Sequence, residues 1–260
     1  MVKIATFNVN GVNGRLPVLL SWLDERRYDV VCLQELKTSD EKYPAAAIRD
    51  VGYHSIWHGQ KSYNGVAILA RRHQPIEVRR GLPGDPDDTH SRYLEAKVGD
   101  LTIGCVYLPN GNPALGPKFD YKLRWFDRLS AHAHSLINAG EPAVLCGDFN
   151  VVPTDIDAAV PQRWRWDAVM FPESRVAYAS LLAQGWEDAI RTIHPLQRIY
   201  TYWNFAYARG YDPTSGLRMD HLLTSPVLEG RLRDAGVDKD VRGWVKPSDH
   251  APAWIDLADS

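Results

Sequence analysis

The sequence has little of what marks secreted or membrane-spanning proteins. Its three cysteines, Cys32, Cys105 and Cys146, lie far apart and each falls inside an apolar run. An odd number with such wide spacing fits neither a disulfide framework nor a zinc site, so we expect reduced core residues. No apolar run approaches the ~20 residues that a membrane span needs, and no signal-peptide pattern precedes the first predicted strand. We therefore expect a cytoplasmic protein.

An excess of charge of one sign is also missing. The 30 Lys+Arg and 32 Asp+Glu residues leave a net charge of −2, so any DNA-binding face must be local. The chain has no glycine-rich phosphate loop, no Gly-x-Ser-x-Gly elbow and no His-Glu-x-x-His motif, which disfavours nucleotide triphosphatases, serine hydrolases and zinc proteases. No linker-like segment divides the chain, and 45% apolar residues can form a sizeable core, so we predict one domain over residues 1–260.

Apolar periodicity predicts more strands than helices. Short apolar or alternating runs predict strands near residues 3–8, 29–35, 65–69, 93–98, 101–107, 143–150, 219–224 and 253–257. Apolar residues at helical spacing predict helices over residues 15–27, 121–137 and 175–184. Gly99-Asp100 predicts a hairpin between two of the strands.

Polar side chains lie at or close to an end of six of these predicted strands. They are Asn8 and Asn10, Glu35, Tyr107, Asp148 and Asn150, Asp220, and the run Ser248-Asp249-His250. Asp and Asn also end strands for purely structural reasons, but six such ends favour a shared site, because strand ends are where layered α/β proteins assemble their sites. Oxygen-rich side chains suit Mg²⁺. The collection suggests metal-assisted cleavage of a phosphate ester, with a carboxylate or His deprotonating a water.

Six motifs together resemble the exonuclease III family of abasic-site DNA repair nucleases. They occupy residues 6–11, 33–37, 106–111, 147–150, 216–220 and 246–252, in the family's order and spacing. The resemblance implies the fold of the endonuclease/exonuclease/phosphatase superfamily, which is DNase I-like. That fold is an α/β (α+β) four-layer sandwich of two packed mixed β-sheets flanked by helices. It also implies a Mg²⁺-dependent hydrolase, with Mn²⁺ as a possible substitute.

The activity that the resemblance implies is incision of duplex DNA 5′ to abasic sites, together with removal of nucleotides or blocking groups from recessed 3′ ends. From the length of the chain and the absence of an extra N-terminal segment we expect a bacterial-type, single-domain monomer, associated with the nucleoid, that needs no membrane and no obligate protein partner. The alternatives are a superfamily phosphodiesterase acting on phosphoinositide or another lipid phosphate, and a DNA-binding module without catalysis.

The resemblance also assigns roles to individual residues. Glu35 would hold the Mg²⁺, and the implied metal set is Asn8, Glu35, Asp148, Asn150, Asp249 and His250. The implied catalytic set is Tyr107 on the scissile phosphate, Asp148 as a proton-transfer carboxylate, Asn150 orienting water, and Asp220 orienting His250. Asp148 and His250 both remain open as the general base.

DNA contacts are expected from loops. The predicted set is Asn10, Lys37, Arg92, Tyr202, Trp203, Arg218 and Met219, of which Arg92 and Arg218 have the strongest case because neighbouring strand residues would direct them to the mouth of the site. The resemblance implies that Met219 and Tyr202 would border a base-less sugar, whereas a core role for Trp203 is equally open. The aromatic run around Arg209 suits stacking on an opened duplex or a packed hairpin.

Overall fold

The computed structural model describes residues 1–204 and 215–259. The described strands are β1 (Val2–Asn8), β2 (Val30–Gln34), β3 (His54–His58), β4 (Val66–Ala70), β5 (Ile76–Arg80), β6 (Tyr93–Val98), β7 (Leu101–Tyr107), β8 (Ala143–Asp148), β9 (Glu187–Asp188), β10 (Asp220–Thr224), β11 (Leu232–Val237) and β12 (Ala253–Leu257). The described α-helices are α1 (Leu16–Arg26), α2 (Ala45–Asp50), α3 (Pro117–Asn138), α4 (Pro172–Leu182) and α5 (Ala189–Ile193).

The strands form two six-stranded mixed sheets. The first has the order β11-β12-β1-β2-β4-β3 and the second the order β5-β6-β7-β8-β10-β9. Each sheet contains one parallel pair, β1 with β2 and β7 with β8. A helix connects the two strands of each parallel pair, α1 in the first sheet and α3 in the second. This is the crossover that parallel neighbours require.

The core lies between the sheets and on their outer faces. Ile4 and Ile68 of the first sheet belong to one buried cluster with Ile103, Cys146 and Leu222 of the second. A second cluster packs α1 on the first sheet, and a third packs α3 and α4 on the second. The result is the predicted four-layer sandwich. All three cysteines are buried and free, and none of the described helices has the length and apolar character to cross a membrane.

The element predictions were right in position and less accurate at the ends. The hairpin at Gly99-Asp100 is confirmed, with Val98 paired to Leu101. Helices α3 and α4 begin earlier than predicted, at Pro117 and Pro172, because proline is tolerated in the first turn of a helix. The sequence prediction missed strands β3, β5, β9 and β11. Strand β5 is exposed along its whole length, and its two apolar residues, Ile76 and Val78, alternate with charged ones, so it has no apolar run.

Strand directions bring the polar residues to one edge of the sandwich. The parallel strands β1 and β2 end side by side, with Asn8 paired to Gln34. In the second sheet Asp148 lies between Tyr107 on one side and Asp220 on the other. Strand β12 runs antiparallel to β1, with Ala253 opposite Thr6, so residues 248–250 enter from the same edge.

Candidate active site

Asn8 joins the carboxylates of the two sheets. Its side-chain amide donates to Glu35 Oε1 and to Asp148 Oδ2, each at 3.0 Å. Glu35 follows a strand of the first sheet, whereas Asp148 ends a strand of the second. Asn8 is fully buried, so the two acids meet around a single fixed amide. The edge of the sandwich is therefore a real junction of side chains from both sheets.

Glu35 is held ionised by its neighbours. Tyr107 donates its hydroxyl to Glu35 Oε1 at 2.8 Å, and Lys37 Nζ lies 2.7 Å from Oε2. Burial raises the pKa of Glu35, but hydrogen bonds from Asn8 and Lys37 and the charge of Lys37 outweigh it, and the pKa lies below its ordinary value. Burial and the charge of Glu35 raise the pKa of Tyr107, so its phenol remains a donor.

The backbone of this edge adopts an uncommon conformation at four residues. Asn10, Glu35, Lys37 and Asn150 have φ values of 47°, 54°, 51° and 47°. The left-handed region is costly for residues other than glycine, and such residues cluster at functional sites. Their concentration here indicates that side-chain placement has outweighed backbone preference.

Asp148, His250 and Asp220 form a buried row. His250 Nδ1 lies 2.8 Å from Asp220 Oδ2, and His250 Nε2 lies 3.9 Å from Asp148 Oδ2. Burial raises the pKa of Asp148 to about 7, with the charges of Asp220 and Glu35 adding to this and His250 opposing it. Burial lowers the pKa of His250, but the charge and hydrogen bond of Asp220 outweigh it and raise the pKa to about 10. The row can thus store and transfer a proton near neutrality.

Asn150 fixes the orientation of Asp148. Its backbone N–H donates to Asp148 Oδ1 at 2.8 Å, and its side-chain amide donates to the carbonyl of Leu108 at 2.8 Å. Asn110 donates to Asn150 Oδ1 at 3.0 Å. Asn150 therefore acts on the site mainly by orienting Asp148.

The side chains at this edge fit a hard divalent cation. Ligand atoms of Asp148, Asp220 and His250 lie within 4.8 Å of one another. Glu35 adjoins this group through Asn8, and Asp249 accepts a hydrogen bond of 2.9 Å from Asn10. Carboxylate oxygens dominate this set, which is the donor chemistry that Mg²⁺ prefers. Asp220, predicted only to orient His250, also belongs to the group of possible ligands.

These residues line a polar cleft of about 380 Å³. Its walls include Glu35, Tyr107, Asp148, Asn150, Asp249 and His250 from the predicted site, with Tyr202, Leu217 and Met219 on another side. The predicted metal and catalytic residues are thus brought together, although their individual roles remain predictions.

The profile of the endonuclease/exonuclease/phosphatase family matches residues 5–250. The chain belongs to this family. It is 35% identical over 267 residues to exodeoxyribonuclease III of Haemophilus influenzae, which covers 98% of this chain and 100% of that protein. It is 31% identical to the DNA repair nuclease APEX1 of Danio rerio, with 99% of this chain and 82% of that protein covered.

Solved structures agree with this family assignment. An AP endonuclease from Archaeoglobus fulgidus has a TM-score of 0.94 at 36% identity, with 99% of each chain covered. The 3′-5′ exonuclease NExo from Neisseria meningitidis has a TM-score of 0.94 at 38% identity, covering 99% of this chain and 100% of that chain. Together these relatives support an exonuclease III-type nuclease as the class of hydrolase.

Several residues predicted to contact DNA line the polar cleft or the cleft beside it. Lys37 and Arg92 line a second cleft of about 440 Å³ beside Tyr107, and the Arg92 guanidinium lies 4.8 Å from the centre of the Tyr107 ring. Tyr202 packs on His250 with ring centres 5.0 Å apart. Asn10 bonds to Asp249 and accepts from Lys37 Nζ.

Trp203 belongs to the core more than to the opening. It is 2% exposed, packs with Tyr200 and Ala251, and borders a neighbouring cavity of about 350 Å³ rather than the polar cleft. Arg209, with Phe205, Tyr207 and Tyr211, lies outside the described residues, so the stacking prediction for that run stays a prediction.

The prediction that Arg218 contacts DNA is wrong. Arg218 is 1% exposed. Its Nε donates to Asp157 Oδ1 at 2.7 Å, and its Nη1 donates to Asp188 Oδ2 at 2.9 Å and to His221 Nδ1 at 2.9 Å. Two buried carboxylates require a cation, and Arg218 supplies it inside the fold.

Lys122 is a buried residue near the site that the sequence analysis missed. It is fully buried on α3, and burial lowers its pKa to about 7. Its Nζ donates to three backbone carbonyls, those of Asn110, Asn150 and Ala168. The sequence did contain a signal, because Lys122 falls at helical spacing between Phe119 and Phe126 on the apolar face of α3.

Proposed function

We propose that the protein is a Mg²⁺-dependent DNA repair nuclease. It hydrolyses the phosphodiester 5′ to abasic sites in duplex DNA and removes nucleotides or blocking groups from 3′ ends. The observation that carries the proposal is the buried row Asp220, His250 and Asp148 beside Glu35. Such a row combines a metal-binding carboxylate with one group whose pKa is about 7 and one that stays protonated at neutral pH, a combination suited to metal-assisted phosphodiester hydrolysis.

Glu35, supported by Asn8 and Asp249, would hold the Mg²⁺. When bound, the ion would neutralise the phosphate and stabilise the departing 3′ oxygen. Mn²⁺ is a plausible substitute because it accepts the same oxygen ligands. The remaining steps belong to the side chains of the chain.

His250 and Asp148 divide the proton transfer between them. With its pKa raised by Asp220, His250 is an imidazolium at neutral pH, so it donates to a phosphate oxygen rather than accepting a proton. Asp148, whose pKa burial raises only to about 7, is the one of the two groups that is unprotonated near neutral pH, and it takes the proton of the attacking water. Asn150 orients Asp148. The Tyr107 hydroxyl, which donates to Glu35 in the structure, would turn its single hydrogen bond to the phosphate when the substrate binds.

Selectivity for an abasic site follows from the apolar wall of the polar cleft. Tyr202, Leu217 and Met219 offer a surface that a base-less sugar fits and that excludes water. We also propose that residues 1–260 form one domain and that the protein acts as a monomer on the DNA of a bacterial nucleoid, without an obligate protein partner.

The test is incision of a labelled duplex with one abasic-site analogue, in Mg²⁺ and in EDTA. An undamaged duplex and a duplex with a recessed 3′ end accompany it. We expect Mg²⁺-dependent cutting 5′ to the lesion, nucleotide removal from the recessed end, and loss of both in Glu35→Gln. Cutting that survives EDTA and Glu35→Gln would contradict the proposal. Hydrolysis of a phosphoinositide without DNA cleavage would instead favour the lipid substrate.

A further inference from the structure

Lys122 touches three separate loops at the back of the polar cleft and is not part of its lining. We propose that Lys122 is a positioning residue for the hydrolysis, one that fixes Asn150 and thereby the orientation of Asp148. The inference rests on the proposed function, because it assigns Lys122 to the same reaction.

The contacts of Lys122 match the chemistry of an ammonium group. Lys122 Nζ lies 3.0 Å from the carbonyl oxygen of Asn110, 2.6 Å from that of Asn150 and 3.2 Å from that of Ala168. An ammonium has three N–H donors, so each donor has one carbonyl acceptor. The acceptors come from the loop after β7, the turn after β8 and the segment before α4. One side chain therefore ties together three segments that are remote in sequence.

Two of these segments lead directly to the reacting groups. Asn150, whose backbone carbonyl accepts a hydrogen bond from Lys122 Nζ, donates its own backbone N–H to Asp148 Oδ1 at 2.8 Å. Its left-handed backbone, with φ of 47°, is costly and needs support from its surroundings. The backbone carbonyl of Asn110 accepts a hydrogen bond from Lys122 Nζ, and the side-chain amide of Asn110 donates one to Asn150 Oδ1. Without the ammonium, the turn loses the contact that aims Asp148.

Gly111 gives independent evidence that the loop is shaped around Lys122. Its φ is +88°, and a Cβ built on it would lie 2.7 Å from Lys122 Cδ. A methyl group there must displace the lysine stem or the loop. The chain thus has a glycine where a side chain on the loop would collide with Lys122.

The first test compares Lys122→Met with Arg124→Met, which removes the same charge from an exposed position of the same helix. On the abasic duplex cut by the wild type, we expect kcat of Lys122→Met to fall about 100-fold, the loss that a misplacement of about 1 Å can cause. KM should stay within about threefold, since Lys122 does not line the cleft, and Arg124→Met should match the wild type. Thermal melts set an assay temperature at which every variant is folded. Wild-type kcat in folded Lys122→Met would overturn the inference, because a merely structural lysine lowers stability without changing kcat.

The second test keeps the ammonium and is decisive even if Lys122→Met fails to fold. Gly111→Ala presses on Lys122, whereas Gly140→Ala places a methyl at φ of +66° with nothing within 4 Å, so it reports backbone strain alone. We expect kcat to fall at least about tenfold in Gly111→Ala and to stay within about twofold in Gly140→Ala. Equal kcat in the two glycine variants would refute the role of Lys122. An inactive wild type would instead refute the proposed function and this inference with it, so the two failures are distinguishable.

Discussion

Two buried clusters of charged residues draw members from the same short segment, residues 218–221, and behave in opposite ways. The cleft cluster consists of Glu35, Asp148, Asp220 and His250, and the arginine cluster of Asp157, Asp188, Arg218 and His221, with Arg191 bonded to Asp157. In the arginine cluster two guanidinium groups face two carboxylates. In the cleft cluster three carboxylates face one imidazole, and Lys37 forms an ion pair with Glu35 at its border. The arginine cluster is balanced, and the cleft cluster carries an excess of negative charge.

This difference in balance determines the pKa values. Burial raises the pKa of both Asp188 and Asp148, but the charge of Arg218 more than reverses the effect at Asp188, whose pKa lies well below its ordinary value. At Asp148 the charges of Asp220 and Glu35 add to the effect of burial, and the pKa remains raised. Although both carboxylates are buried, Asp188 therefore stays ionised, whereas Asp148 can take up and release a proton near neutral pH. A buried ion cluster indicates function where its charge is left uncompensated and reachable, and structure where it is matched.

Replacing Asp148 should separate activity from stability most strongly. We expect Asp148→Asn to reduce incision of the abasic duplex about 10³-fold, because the general base is lost. Its melting temperature in EDTA at pH 8 should change little, since removing a carboxylate whose ionised form is disfavoured by burial offsets the loss of one acceptor oxygen for Asn8 or Asn150. Incision kinetics and thermal melts on the same preparation check both statements. A clear drop in melting temperature would show that Asp148 is a stabilising charge and would break the comparison.

Replacing Arg218 should have the opposite outcome. We expect Arg218→Met to lower the free energy of unfolding by about 3–5 kcal/mol, because it leaves Asp157 and Asp188 buried without their cation. The control is Arg80→Met, which breaks an exposed pair with Glu77 and should cost about 0–1 kcal/mol. Urea denaturation measures both changes. Similar values for the two variants would mean that the arginine cluster is not the stabilising one.

The fold could be predicted further than the site. Buried strands such as β2 and β8 are short apolar runs, a signal that is local in sequence. The exposed edge strand β5 has no such run and was missed. Prolines in the first turns of α3 and α4 resemble loop residues when the sequence is read alone, which shifted both helix starts.

The site residues at strand ends could be predicted because topology gathers them at one edge, and motif resemblance added the rest. The two cations whose positions were not anticipated, Arg218 and Lys122, have partners far away in the chain. Asp157 and Asp188 lie 61 and 30 residues from Arg218, and the carbonyls of Lys122 come from three loops. Whether a basic residue binds DNA or an internal partner depends on contacts that no local pattern encodes.

The pH dependence of stability should distinguish the two clusters in a metal-free protein. The raised pKa values of Asp148, about 7, and His250, about 10, mean that the folded state binds these protons more tightly than the unfolded chain. Stability from this cluster is therefore fully present in acid and lost as pH rises, through Asp148 from about pH 4 to 7 and through His250 from about pH 6.5 to 10. The arginine cluster has depressed acid pKa values, so its contribution is lost only as pH falls below about 4.

Thermal melts in EDTA should thus show a melting temperature that falls from about pH 4 to 7. Above pH 7 the lowered pKa of Lys122 opposes the decline, so the readout there is the advantage of the wild type over His250→Gln, which should shrink as pH rises to about 10. Adding Mg²⁺ should raise the melting temperature above pH 7, because an ion that binds only the folded state stabilises it. A flat profile below pH 7 together with a constant difference between the two proteins above it would mean that the cleft cluster is compensated as fully as the arginine cluster.

The smallest predicted effect concerns Arg92, which tests whether an arginine without a carboxylate partner is available to bind DNA. Unlike Arg218, Arg92 has no ion pair among residues 1–204 and 215–259; it donates to the Tyr107 carbonyl at 3.3 Å and its Nε is buried without a hydrogen-bond partner there. We expect Arg92→Met to weaken DNA binding in EDTA and to reduce the slope of log K against log salt by about 0.9, the value for one phosphate contact.

Fluorescence anisotropy at several salt concentrations measures that slope. The control is Arg233→Met, because exposed Arg233 lies beside Leu232, which pairs with Leu257 at the end of the first sheet opposite the polar cleft. Its slope should be unchanged. If Arg92→Met also leaves the slope unchanged, Arg92 contacts no phosphate and is a structural arginine like Arg218, held by its ring and carbonyl contacts with Tyr107. A reduced slope instead shows that an arginine without a carboxylate partner is the one that remains available to DNA.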